Sequence, residues 1–246
     1  MKIIGVIPAR WASTRFQGKV LAEIHGKPML QHVWERAQQS RHLNDLLIAC
    51  DDEKVLKTAK QFKAKAVLTS KDHPSGTDRI AEAVQNLQAD IIVNIQADEP
   101  LIHPSMIDDL AQALMEDSSC GMATVIKRID NEKDLNNPNV VKVVIDQKGY
   151  ALYFSRLAIP YNRENKNFLG IEYYKHLGIY AYRKDFLFTF KNLPKSKLEE
   201  VEQLEQLRAL EAGYKIKTVK TDRDTIGVDT PEDLKKVEAL WPKQLK

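Results

Sequence analysis

The sequence predicts an α/β protein with a doubly wound, mostly parallel sheet of the Rossmann-like kind and an antiparallel elaboration in its second half. Three observations predict it. Short apolar runs alternate with amphipathic helical stripes through the first half of the chain. Each pair of runs is separated by enough residues for one helix, the arrangement that right-handed crossovers between parallel strands require. Past residue 140 the rhythm changes to a hairpin signal and a further strand.

Residues 3–7 read as a buried strand stopped by Pro8, and Pro28 suits the first turn of a helix with Leu30, Val33, Trp34 and Ala37 on one face. Residues 46–50 form a second strand. Asp51 and Asp52 are placed to cap the next helix, whose stripe is Val55, Leu56, Ala59 and Phe62. A third strand follows at 66–69, then a helix with Thr77 as its cap and Ile80, Ala81, Val84 and Leu87 facing the core, then a fourth strand at 91–95. Strands at 140–145 and 150–154 flank Asp146-Gln147-Lys148-Gly149, a turn signal ending in Gly. Residues 162–170 read as a loop, 176–182 as a strand and 198–212 as one helix ended by Gly213. Thr230-Pro231-Glu232-Asp233 opens the last helix with a capping hydroxyl and Pro at its first position.

The chain has 246 residues, enough for one domain spanning 1–246, with the elaboration at about 127–190. A net charge of +3 is too mild for a general nucleic-acid binder and suits a small anionic substrate. Cys50 and Cys120 have neither a CxxC nor a zinc spacing and read as reduced, structural thiols. The apolar run at the start is too short for a signal peptide or membrane span, and no later run approaches the roughly 18 residues a span needs. The expectation is a cytoplasmic protein with no membrane partner. His25 and His32 read as surface or packing residues, Trp34 as core, and 233–236 as a solvated face.

Residues 7–19 follow the first strand and therefore lie at the carboxyl edge of a parallel sheet, where this architecture binds ligands. They hold three cations, Arg10, Arg15 and Lys19, with two hydroxyls and no carboxylate. Guanidinium forks grip phosphate oxygens in pairs, and a lysine supplies a movable point charge. Gly18 is expected to let the backbone approach phosphate closely. The same composition fits a solvated basic loop. Val20 after Lys19 excludes a Walker A loop, and no two glycines stand one residue apart, which excludes GxGxxG. Asp98 lies just past the fourth strand and Asp229 just before the last helix. Two such acids converging on a nucleotide's phosphates would suit magnesium, which takes one or two carboxylates plus water and phosphate oxygens. Each also fits a plain turn or cap residue.

Residues 7–19 resemble the IPAR-x-x-S-[ST]-R-x-x-GK signature of sugar-activating nucleotidyltransferases. Further segments follow in order from end to end: Ser75-Gly76-Thr77-Asp78-Arg79, Asn94-Ile95-Gln96-Ala97-Asp98-Glu99-Pro100, Asn137-Pro138-Asn139-Val140-Val141-Lys142 and Ala151-Leu152-Tyr153-Phe154-Ser155-Arg156. His176-Leu177-Gly178-Ile179-Tyr180, Leu204-Glu205-Gln206-Leu207-Arg208 and Gly227-Val228-Asp229-Thr230-Pro231-Glu232-Asp233 complete the set. Together they resemble the family of CMP-Kdo synthetases, cytidylyltransferases acting on 3-deoxy-manno-octulosonate (Kdo).

That resemblance implies a nucleotidyltransferase that moves CMP from CTP to the anomeric hydroxyl of Kdo and releases pyrophosphate, with Mg2+ held by Asp98 and Asp229. It implies catalytic roles for Arg10, Lys19 and Asp98, and CTP contacts from Ala9, Arg10, Ser13, Arg15, Lys19, Ser75, Gly76, Arg79 and Gln96. For the sugar acid it implies Arg156, His176, Tyr180, Glu205 and Gln206, although Glu205 and Gln206 also fit the polar face of an ordinary helix. It further implies a homodimer and a place in lipopolysaccharide synthesis. Two positions depart from the family pattern: Gln17 stands where Pro is usual, and Ala97 where Gly is usual. The rival readings are the same chemistry on an 8-amino Kdo analogue and, in a different class, a nucleotide-binding regulatory module without turnover.

Overall fold

A computed structural model describes residues 1–12, 16–164 and 168–244. The chain forms two compact units, Met1–Ala111 with Thr225–Lys246, and Gln112–Asp224.

The first unit begins with β1 (Ile3–Ala9), a 3-10 turn at Lys19–Leu21 and a small antiparallel pair, β2 (Glu23–Ile24) and β3 (Lys27–Pro28). Then α1 (Met29–Ala37), β4 (Asp45–Cys50), α2 (Glu53–Gln61), β5 (Ala66–Leu68), α3 (Gly76–Val84) and β6 (Ile91–Asn94) alternate as expected. The four main strands are all parallel, in the order β6-β1-β4-β5. Ile4, Val6, Ile7, Ile48, Ile92 and Val93 are at most 2% exposed, each burial worth roughly 1.5–3 kcal/mol. Trp34 is core as expected, and buried His32 donates from Nε2 to the Ile24 carbonyl at 2.7 Å.

Pro8 does not stop the first strand. It pairs in register with Ala49 on the β4 side. Its nitrogen faces β6 instead, since the Val6 carbonyl accepts from Ile95 on that side and strand residues alternate. β6 ends at Asn94, so no ladder bond is lost there.

Two caps also differ from expectation. Asp52 caps α2, accepting from the Lys54 amide at 2.8 Å, while Asp51 is buried and turned to other partners described below. Ser75, not Thr77, caps α3. Its hydroxyl accepts from the Asp78 amide at 3.2 Å and donates to the Asp78 carboxylate at 2.7 Å. The capping hydroxyl must precede the third helical residue by three, a spacing that Ser75 satisfies; Thr77 lies inside the helix and is buried.

The boundary between units falls within α4 (Pro104–Glu116). The second unit then holds β7 (Met122–Arg128), α5 (Glu132–Asn136), β8 (Lys142–Ile145), β9 (Ala151–Ser155), β10 (Tyr174–Arg183), α6 (Lys184–Asn192), α7 (Lys197–Glu202), α8 (Leu207–Glu211) and β11 (Ile216–Thr221). Here β10 runs antiparallel to both β7 and β8, β9 antiparallel to β8, and β11 parallel to β7. The expected β8–β9 hairpin is present, with Gly149 at φ +77°. Of the expected loop at 162–170, residues 168–170 form a 3-10 turn and 165–167 lie outside the described residues.

The single helix expected over 198–212 is two. Gln203 takes a left-handed conformation (φ +53°) and ends α7, leaving Val201 83% exposed although it belonged to the apolar stripe. The break is held from outside: Arg156 donates from Nε to the Glu202 carbonyl at 2.7 Å and from Nη2 to that of Gln203 at 3.3 Å. These bonds satisfy carbonyls that a continued helix would have used.

The closing helix α9 (Pro231–Gln244) returns to the first unit. Thr230 caps it by accepting from the Asp233 amide at 3.2 Å. Among the described residues, no helix is long and apolar enough to cross a membrane.

Candidate active site

In the first unit, a cleft of about 310 Å3 opens at the carboxyl ends of β1, β5 and β6. Pro8 near the end of β1 lines it with Arg10 and Ala12 just beyond, and His73 to Gly76, with Arg79, after β5. Gln96, Ala97 and Asp98 line it after β6, and Lys19 and Asp229 complete it. Arg10 is exposed there. Ala9 is fully buried in β1 and does not line the cleft, so only its backbone is available to a ligand. Ser13 and Arg15 lie outside the described residues.

Lys19 Nζ sits among three acceptors: Asp98 Oδ2 at 2.6 Å, Asp229 Oδ1 at 2.9 Å and the Val228 carbonyl at 3.1 Å. Burial alone would lower the pKa of this ammonium, but the charge of Asp98 and the bonds to both carboxylates outweigh it and raise the pKa above the usual lysine value. Asp98 and Asp229 are 131 positions apart in sequence yet meet on one cation. Their meeting is built by the backbone. The Val228 amide donates to the Asp98 carbonyl at 2.9 Å, and the Val228 side chain is fully buried in a cluster with Ile24, Met29, Leu101, Val237 and Trp241. The two acids therefore bind a cation as a pair, with Lys19 as the stand-in ion. That donor set, two carboxylates leaving further positions to water and phosphate oxygens, fits Mg2+.

Gly18 has a structural duty of its own. It adopts φ +67°, and a Cβ there would lie 2.8 Å from Trp11 Cη2. The close approach it permits within the protein is to the Trp11 indole. Ala97 is buried, but it is not among the described non-glycine residues with positive φ (His25, Lys63 and Gln203), so its methyl imposes no backbone strain. Arg79 lines the cleft yet spends its guanidinium inward, from Nη2 to Asp51 Oδ2 at 3.0 Å and from Nη1 to Thr69 Oγ1 at 2.6 Å.

In the second unit, His176 and Tyr180 come together, with ring centroids 5.3 Å apart, and Phe154 meets the His176 ring edge-on at 5.0 Å. The His176 tautomer follows from its neighbour. Thr124 has one hydroxyl proton, which goes to the Ile179 carbonyl at 2.8 Å, so His176 Nε2 must donate to Thr124 Oγ1 at 2.9 Å. Nδ1 then carries the lone pair. Burial pushes the His176 pKa down to about 3, so the ring is neutral. Burial raises the Tyr180 pKa well above its usual value, helped by the neighbouring Tyr182 and Glu205. Gln206 is only 3% exposed and its Nε2 has no hydrogen-bond partner among the described residues, which rules out the solvated helix face. Such an orphaned donor marks a place for an acceptor. Arg156 is committed to backbone carbonyls, those of Glu202 and Gln203 at the α7–α8 junction and, from Nη1, that of Pro138 between α5 and β8 at 3.1 Å.

Sequence reasoning missed His73 and Asp51. Both lie at carboxyl ends of parallel strands, and that position was the available signal.

A parallel sheet with a cleft at its carboxyl edge, lined by cations and an acid pair, defines a Rossmann-like nucleotidyltransferase fold. A cytidylyltransferase family model matches residues 4–216. The chain is 51% identical to a 3-deoxy-manno-octulosonate cytidylyltransferase from Geotalea uraniireducens over 245 residues, covering 96% of this chain and 98% of that one. It is equally identical to the one from Solibacter usitatus over 240 residues, covering 98% and 94%. Among solved structures, a CMP:2-keto-3-deoxy-manno-octonic acid synthetase complexed with CTP superimposes with a TM-score of 0.94 at 43% identity, over 99% of this chain and 100% of that one. The chain belongs to the 3-deoxy-manno-octulosonate cytidylyltransferase family.

Proposed function

We propose that this protein transfers CMP from CTP to the anomeric hydroxyl of 3-deoxy-D-manno-octulosonate, giving CMP-Kdo and pyrophosphate. The observation that carries the reading is the convergence of Lys19, Asp98 and Asp229 in a cleft at the carboxyl edge of the parallel sheet. A cation and two acids held so close are matched to a triphosphate and its counter-ion.

CTP lies in the first-unit cleft, with Arg10 and Lys19 toward the β- and γ-phosphates. Ser75, Gly76 and Gln96 are on hand for the base and ribose. Asp98 and Asp229 would hold Mg2+, which when bound neutralises phosphate charge and acidifies the attacking hydroxyl. For the sugar acid, the second unit offers a set of polar groups. Neutral His176 offers a lone pair at Nδ1, Gln206 a donor and Tyr180 a protonated hydroxyl. Glu205 supplies an acceptor, and Arg156 sets the junction that presents Glu205 and Gln206. The anomeric oxygen forms a bond to the α-phosphorus as the bond to the β-phosphate oxygen breaks in line. The hydroxyl proton leaves to solvent, and Arg10 and Lys19 steady the departing pyrophosphate. No covalent enzyme intermediate is needed, and positioning supplies much of the rate.

Action as a homodimer in the cytoplasm, feeding lipopolysaccharide assembly, belongs to the same reading. The exposed apolar side chains Leu152, Leu157 and Tyr161 of the second unit support self-association. Pyrophosphate release with CTP and Kdo, run beside the other nucleotides and the 8-amino sugar, tests the activity. No release with CTP and Kdo above the level with CTP alone refutes it.

A further inference from the structure

Behind the nucleotide cleft, Asp51 is buried with its carboxylate fully engaged. Oδ1 accepts from the Trp11 amide at 2.9 Å and Oδ2 from Arg79 Nη2 at 3.0 Å. On one side, Trp11 closes the basic loop. Its carbonyl accepts from the Gly18 amide at 3.1 Å and its indole packs on Gly18, immediately before Lys19. On the other side, Arg79 Nη1 donates to Thr69 Oγ1 and, at 3.1 Å, to the Ser70 carbonyl. The Ser70 amide donates to Glu82 Oε2 at 3.0 Å, and the same oxygen accepts from His73 Nε2, whose ring lines the cleft. The Ser70 and His73 bonds hold the Glu82 carboxyl below its usual pKa. One unbroken chain of bonds thus joins the loop carrying Arg10 and Lys19 to the wall carrying His73, Ser75 and Gly76.

We propose that Asp51 and Arg79 are a positioning pair that fixes the two walls of the nucleotide cleft against each other, so that the loop cations and the 73–76 wall engage CTP together. Asp51 does not line the cleft, and the Arg79 guanidinium, though it does, is spent on Asp51, Thr69 and Ser70. The pair acts through Trp11 on the loop and through Thr69 and Ser70 on the wall. A carboxylate is required at 51 because two donors from different elements must be accepted at once. A guanidinium is required at 79 because its fork reaches Asp51, Thr69 and Ser70 from one rigid plane. The inference rests on the nucleotide reading of the cleft.

The test compares the unmodified protein with Asp51→Asn and with the double variant Asp51→Leu/Arg79→Met, which removes both buried charges together and so avoids stranding one. Surface variant Lys65→Gln, which loses only an exposed pair with Asp45, serves as the control. The readouts are the CTP dissociation constant by calorimetry, KM for CTP and for Kdo, kcat, and the urea midpoint. For the folded double variant, the expected result is a CTP dissociation constant and KM raised at least tenfold, with the Kdo KM within twofold of the unmodified value. A CTP constant within twofold of the unmodified value overturns the proposal, as does a parallel rise in the Kdo KM, which would mark general loosening. If the unmodified protein binds CTP without turning over Kdo, the acceptor reading fails and the pair is judged on calorimetry alone. If it binds no CTP, both fall.

Discussion

Lys19 Nζ lies 2.6 Å from Asp98 Oδ2, and the same ammonium reaches Asp229 Oδ1 at 2.9 Å. One cation thus compensates two acids that the chain brings together from distant positions. If Asp98 serves the reacting phosphates, Asp98→Asn should cut turnover about 10²–10³-fold. The protein should stay folded, because Asp98 keeps 29% side-chain exposure and its backbone carbonyl still anchors Val228. Near-normal turnover at saturating Mg2+, with an unchanged urea midpoint, would sink that role.

Replacing Lys19 separates its two duties. Lys19→Met removes the ammonium that Asp98 and Asp229 share, so divalent ion binding in the absence of nucleotide should tighten. Titration of the protein with Mn2+, followed by the free-ion resonance signal, would show it. The same variant should lose about 10²-fold in kcat while the Kdo KM moves less than twofold. A change confined to the sugar KM would contradict a triphosphate role.

The contrast between Lys19 and Gln203 shows what the sequence makes legible. The alternation of apolar runs with helical stripes is enough to place the four parallel strands of the first unit, and hence the edge where Lys19 and Asp98 fall. Those are local patterns, and local patterns survive translation into structure. The break at Gln203 was not legible, because it depends on Arg156, 47 positions away, reaching the carbonyls that the helix gives up. Asp51 failed for the same reason. Beside Asp52 it looked like a second cap, and only the long-range approach of Arg79 and Trp11 reveals a buried, doubly engaged carboxylate. Gly18 stands out in the sequence, but its packing partner, Trp11, cannot be read from spacing.

Lys142 offers a test of the second unit's frame. Its side chain is fully buried, and Nζ donates to the carbonyls of Asn137 at 2.9 Å and Val140 at 2.6 Å, and to that of Arg156. Burial lowers its pKa, but the three carbonyls satisfy the ammonium. Lys142→Met keeps the stem but removes the donor from the Val140 and Arg156 carbonyls, while that of Asn137 still accepts from the Val140 amide at 3.1 Å, so unfolding free energy should fall by about 2–3 kcal/mol in urea titrations. A loss under about 0.5 kcal/mol would mean that solvent already reaches them.

The acid side of the stability profile should report His176. Its folded pKa is about 3 against an ordinary value of 6.5, because burial disfavours the imidazolium. The unfolded chain therefore binds a proton below pH 6.5 that the folded protein refuses until about pH 3. The contribution is fully present above pH 6.5 and is lost as pH falls toward 3, at up to about 1.4 kcal/mol per pH unit. His176→Gln removes the titrating group and retains an N–H donor for Thr124 Oγ1. Carboxylates elsewhere titrate alike in both proteins and cancel in the comparison. Between pH 6.5 and 4.5, the unmodified protein should lose about 2–3 kcal/mol more than the variant in urea unfolding. Parallel profiles would show that the His176 ring accepts its proton without unfolding, and that it is not held neutral.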